Sequence, residues 1–148
     1  MSNSIETQID LAAPQSRVWR ALTDYREFGA WFRVRLDGPF VAGQATSGNI
    51  TYPGYEHLRF EVKVRAIEPE AHFSFHWHPY AVDPAKDYSA EVPTLVEFTL
   101  EKSARGTLLR VVESGFDKLP PDRRAEAFRM NEGGWAIQME NIAKYLEA

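Results

Sequence analysis

Along residues 121–146, Ala125, Phe128, Glu132, Trp135, Met139, Ile142 and Leu146 recur at alternating steps of three and four. This spacing predicts one face of a single long helix. Glu132 is the one acid among those apolar positions, and Gly133 and Gly134, a residue type that helix interiors disfavour, follow it directly. An acid and two glycines inside a packing face predict a helix that roofs a cavity instead of packing solidly.

Period-two segments fill most of the chain before it. Ile5, Thr7, Ile9 and Leu11 alternate with Glu6, Gln8 and Asp10, which predicts a strand. Pro14 is placed to open a short helix with Val18, Trp19 and Leu22 on its apolar face. Asp24 with Glu27 three residues later resembles a capping box for a second short helix carrying Tyr25, Phe28, Trp31 and Phe32. Residues 34–36 and 43–52 read as strands. Leu58, Phe60, Val62, Val64 and Ala66 alternate with charged residues, giving a strand with one wet face. Phe73, Phe75 and Trp77 follow, then Val96, Phe98 and Leu100, then Leu109 and Val111 with Glu113 on the same face. The 79–93 segment is a polar loop, longer than a hairpin needs, and is read equally as a binding edge or a solvated insertion.

The order is a strand, two short helices, about six further strands and a long helix. Short turns between consecutive strands predict one antiparallel sheet, and a lone amphipathic helix across it makes an α+β fold. A gap between sheet and helix would be lined by Phe75, Trp77, Phe98, Phe128, Trp135 and Met139.

Composition narrows the partners. At 148 residues the chain is expected to be a single domain spanning 1–148 with a sizeable core. Aromatics make up 13% of it, enough for a large core or an aromatic-lined pocket. A net charge of −4, with Lys and Arg scattered, lacks the basic stripe that nucleic acid requires. With no cysteine there is no disulfide, thiol nucleophile or Cys-ligated metal. No stretch reads as a signal core or a membrane span, so the expected location is cytoplasmic, with no membrane partner.

Several words along the chain resemble one family. The run Pro14-Gln15-Ser16-Arg17-Val18-Trp19-Arg20-Ala21-Leu22-Thr23-Asp24 looks like the first-helix signature of the family named after the activator of the heat-shock protein 90 ATPase. Trp31-Phe32, Ile67-Glu68-Pro69, the strand ending at Trp77, Glu113-Ser114-Gly115-Phe116 and Gly134-Trp135 fit in order and spacing. The resemblance implies the helix-grip fold of the START/SRPBCC superfamily: a curved antiparallel sheet of six or seven strands, two short helices and a long C-terminal helix. It implies a pocket but no particular reaction, since relatives include carriers of apolar molecules, polyketide cyclases and chaperone-associated domains. It also admits a chaperone or a second copy of the chain as partner. The strand position held here by Glu113 is often a histidine in similar sequences.

The candidate site follows from both readings. Trp31, Phe75, Trp77, Phe98, Phe128, Trp135 and Met139 would supply apolar area for a small aromatic or acyl ligand, with Glu113, Asn131 and Glu132 orienting a polar group. Two carboxylates facing an apolar gap also form the pattern of a general acid–base pair, which makes Glu113 and Glu132 catalytic candidates for a cyclase or dehydratase. His76-x-His78 has a chelating spacing, but inward Phe73, Phe75 and Trp77 turn these histidines, with His72, to solvent, so no metal is expected. Ser114 lacks a nucleophile elbow, and no cofactor motif is present.

Overall fold

The period-two segments form one antiparallel sheet of seven strands. The computed structural model describes residues 3–83 and 85–147. The strands are β1 (Ser4–Leu11), β2 (Val34–Leu36), β3 (Ala45–Ile50), β4 (Arg59–Glu68), β5 (His72–Trp77), β6 (Thr94–Lys102) and β7 (Thr107–Ser114). Their order across the sheet is β1-β7-β6-β5-β4-β3-β2. Strands β3 to β7 pair in sequence, and β1 closes the far edge by pairing along its whole length with β7, from Ser4 opposite Ser114 to Leu11 opposite Thr107. Helices α1 (Gln15–Thr23) and α2 (Tyr25–Phe32) bridge β1 to β2, and α3 (Pro121–Glu147) lies across the curved sheet.

Alternation along β6 and β7 holds without a break: Val96, Phe98, Leu100, Leu109 and Val111 are buried. In β4 it fails at one point. The register with β5 shifts between Val64 and Ala66, so Arg65 is the extra residue of a bulge. Beyond the bulge the strand changes face. Ile67, opposite the buried Phe73, packs on the core where simple alternation predicts Ala66.

Asp24 caps α2, its Oδ1 accepting from the amides of Arg26 and Glu27. Glu27 does not complete the predicted capping box; it turns outward and accepts from Arg17 and Arg20 of α1 and from the Tyr145 hydroxyl of α3, at 2.7, 2.7 and 2.8 Å. One carboxylate thus ties three helices together. Burial works to raise its pKa, but the bonds from Tyr145 and Arg17 outweigh burial and hold it below the usual carboxylate range. A depressed folded value means stability that is complete above about pH 4.5 and is lost as pH falls through the folded value. Glu27→Gln is therefore expected to cost about 1 kcal/mol at neutral pH, with the difference from the parent closing below pH 4. Urea denaturation across that range checks it; a pH-independent difference would contradict the linkage.

Gly29 decides how α2 ends. A Cβ there would lie 2.3 Å from the carbonyl oxygen of Val34, so only glycine lets the chain reverse this tightly into β2. The reversal passes through Arg33 at φ 71° and leaves Phe32 under the middle of α3.

The interior is solid. Phe28, Phe73, Phe75, Phe98 and Phe116 are fully buried, and Trp31 fixes its indole N–H on the carbonyl of Ala21 at 2.8 Å. The large gap predicted between sheet and helix is filled by these rings, because the aromatic side chains of both layers interdigitate.

Candidate functional site

Glu113 ends β7 and is fully buried, as the alternation with Leu109 and Val111 predicts. Four donors converge on its carboxylate. Oε1 accepts from the Asn131 amide at 2.9 Å and the Trp135 indole at 2.8 Å. Oε2 accepts from the Trp77 indole at 2.8 Å and the Thr94 hydroxyl at 2.5 Å. The donors come from β5, β6 and two turns of α3, so one side chain joins the sheet to the helix. A carboxylate offers about four lone-pair sites, and here all are occupied. No ion pair reaches Glu113 among the described residues.

The helix meets this network through Asn131, not Glu132. The predicted step from Phe128 to Glu132 to Trp135 is replaced by Ala127, Asn131 and Trp135, so that Glu132 and Ala125 are exposed. A period of 3.6 residues permits either step, and the four-residue stagger wins because Asn131 can bond Glu113 where a second carboxylate would repel it. Glu132 is thus no partner for Glu113. Gly133 also faces solvent, and a Cβ on either glycine would meet nothing within 4 Å. Gly134 borders a crevice.

That crevice, of about 100 Å³, is walled by Phe32, Trp77, Asn131, Gly134, Trp135 and Gln138. A second depression of about 190 Å³ shares Phe32, Trp77 and Asn131 with it and continues past Ile50, Leu58 and Phe60 to Tyr80, Ala81 and Val82. Of the predicted site residues, Trp77, Asn131 and Trp135 line the crevice, and Glu113 anchors its wall. Trp31, Phe75, Phe98 and Met139 lie buried in the core instead. Phe128 stacks edge-on against Phe116 at 5.1 Å, away from the opening. Phe32 and Gln138 are not among the predicted lining residues; Phe32 lies on the apolar face of α2, and Gln138 carries no distinguishing pattern.

The outer histidines are half-buried and not turned fully to solvent, and His78 lines the wider depression with Arg59 and Glu61. His72 approaches Glu97 at 3.8 Å. His76 is held below its ordinary pKa by burial and by Arg65 and Lys63. The described residues contain no cluster of three or more His, Asp or Glu arranged for a metal ion.

Arg123 is the functional-looking residue that sequence reasoning missed. Although charged, it is nearly buried, and it straps the 79–93 loop to the start of α3. Its guanidinium donates to Glu91 at 2.8 Å and to the carbonyls of Pro79 and Tyr80, each at 2.9 Å, and it stacks on Tyr88. The strap holds Tyr80, Ala81 and Val82 at the wider depression. Arg123→Ala is expected to cost about 2–3 kcal/mol, below the range for a fully enclosed pair because Glu91 keeps Lys86 at 3.6 Å. Hydrogen exchange should rise most in residues 79–93; unchanged protection there would show that the strap does not order the loop.

The fold is that of a START/SRPBCC helix-grip domain. The chain belongs to the family of activator of Hsp90 ATPase homolog 1-like proteins, whose model matches residues 12–147. Among solved structures, protein MLL2253 from Mesorhizobium loti is similar at 26% identity and a TM-score of 0.76, over 97% of this chain and 96% of that one. DynU16, a protein of the dynemicin biosynthetic locus, matches at 26% identity and a TM-score of 0.76 over the full chain, which spans 48% of DynU16. The Aha1 dimer from Colwellia psychrerythraea shares the fold at 18% identity and a TM-score of 0.72, over 99% of this chain and 97% of that one. No curated protein matches. No helix among the described residues is long and apolar enough to cross a membrane.

Proposed function

We infer that the domain binds a small apolar molecule, aromatic or acyl, at the opening between α3, the end of β5 and the 79–93 loop. The observation that carries this reading is the pair of depressions that meet at Phe32, Trp77 and Asn131 over an otherwise solid core. A cavity of about 150 Å³ lined by apolar side chains accommodates benzene, so depressions of this size suit one ring or a short acyl chain. A larger, drug-sized ligand would need α3 to lift from the sheet. The likeness to DynU16, a protein of a biosynthetic locus, suits a site for a small organic molecule.

Proton transfer is less well supported than binding. The lone-pair sites of Glu113 are all engaged, and Glu132 stands exposed, so neither is poised as an acid or base. A second reading, a protein-interaction domain, has Met130 and Ile137 in its favour, which are 45% and 60% exposed on the outer side of α3. A chaperone or a second copy of the chain would be the partner there. The expected setting for either reading is the cytoplasm.

An environment-sensitive apolar dye should bind at one saturable site and be displaced by single-ring aromatics. Gly134→Leu, which fills the crevice from a position with open space, should weaken binding at least tenfold, and Phe128→Ala should not. Absence of a saturable site, or equal binding by Gly134→Leu, would reject the pocket and leave the interaction reading.

A further inference from the structure

The geometry points to Asn131 as the residue that sets which ligands the crevice accepts: molecules that present a hydrogen-bond donor, such as a phenol or an arylamine, in preference to acceptor-only ketones or ethers. This inference rests on the binding reading above and adds the chemistry of the polar group.

The argument is an inventory of the crevice wall. Four of its six lining residues have polar side-chain groups, and each donor nitrogen among them makes one bond, the amide nitrogens of Asn131 and Gln138 keeping a second N–H. The indoles of Trp77 and Trp135 donate to Glu113. The Gln138 amide nitrogen donates to the Phe32 carbonyl at 3.2 Å, and its oxygen accepts from Asn141 at 3.1 Å. The Asn131 amide nitrogen donates to Glu113. Asn131 Oδ1 is the one polar side-chain atom of this wall that makes no bond among the described residues.

Glu113 also fixes which way that amide faces. Both carboxylate oxygens act as acceptors, so the amide must turn its NH2 to Glu113 and cannot flip without setting oxygen against oxygen. The oxygen is thereby left for the crevice side of a half-buried residue that lines both depressions. A donor on the ligand completes it. An acceptor placed there meets oxygen instead, and both indole N–H groups of the wall are committed to Glu113.

Titration of isotope-labelled protein with phenol, aniline, acetophenone and anisole tests this, following the indole N–H signals of Trp77 and Trp135 by NMR. Phenol and aniline should bind about three- to tenfold more tightly than acetophenone, the span of one net hydrogen bond. Asn131→Leu, close in volume, should remove that preference while anisole still binds. If the variant does not fold, the ranking of the four probes on the parent protein decides alone. Acetophenone or anisole binding as tightly as phenol would overturn the assignment and leave the binding reading standing. Saturable binding by none of the four would overturn both.

Discussion

Replacing Glu113 with alanine is expected to cost about 4–6 kcal/mol of folding stability. The change strands four donors at once. The Trp135 indole lies in the closed interior, and an unmet buried donor costs about 1–3 kcal/mol. Trp77 and Asn131 are half-buried and recover part of their loss from water, and the Thr94 hydroxyl can rotate. A cavity at the end of β7 adds to the total. Glu113→Gln keeps the shape but turns an NH2 against two donors, so about 2–4 kcal/mol is expected. Equilibrium urea unfolding measures both. A loss under about 1 kcal/mol for the alanine variant would show that the four bonds do not hold sheet to helix.

Trp135→Ala should follow at about 4–5 kcal/mol, the upper part of the range for removing a large buried aromatic. The glycines beside it predict a looser site. The structure reverses that expectation: Trp135 is 2% exposed, with the rings of Trp77, Phe98 and Phe32 at 5.6, 5.7 and 6.2 Å. Trp135→Phe retains most of the packing and drops only the bond to Glu113, so it should cost about 1–2 kcal/mol. Combined with Glu113→Gln, the losses should be clearly less than additive, because both variants break the same bond. Strict additivity would separate the two residues energetically.

The sheet was legible from alternation wherever a strand has one wet face, as in β6 and β7, because period two records directly which side each residue takes. The same signal could not place the bulge at Arg65, since the extra residue is specified by pairing with β5 and not by β4 itself. The length of α3 was legible from its three-four spacing. Its rotation near residue 132 was not, because a 3.6 period allows either a three- or a four-residue step, and the partner that selects Asn131 lies on another strand.

By itself, then, the sequence determined the helix-grip order of elements and the inward direction of Glu113. These depend on local periodicity. It could not reveal that the gap is filled, because interdigitation of Phe75, Phe98 and Trp135 depends on how far apart two layers settle. It could not reveal the strap made by Arg123, since a charged side chain is buried only when a partner such as Glu91 is brought to it from a distant part of the chain. The four donors on Glu113 belong to the same class. Each is an ordinary Trp, Thr or Asn in the sequence, and only the tertiary structure brings them within 3 Å of one carboxylate, because hydrogen-bond partnership is set by geometry across elements and leaves no period behind.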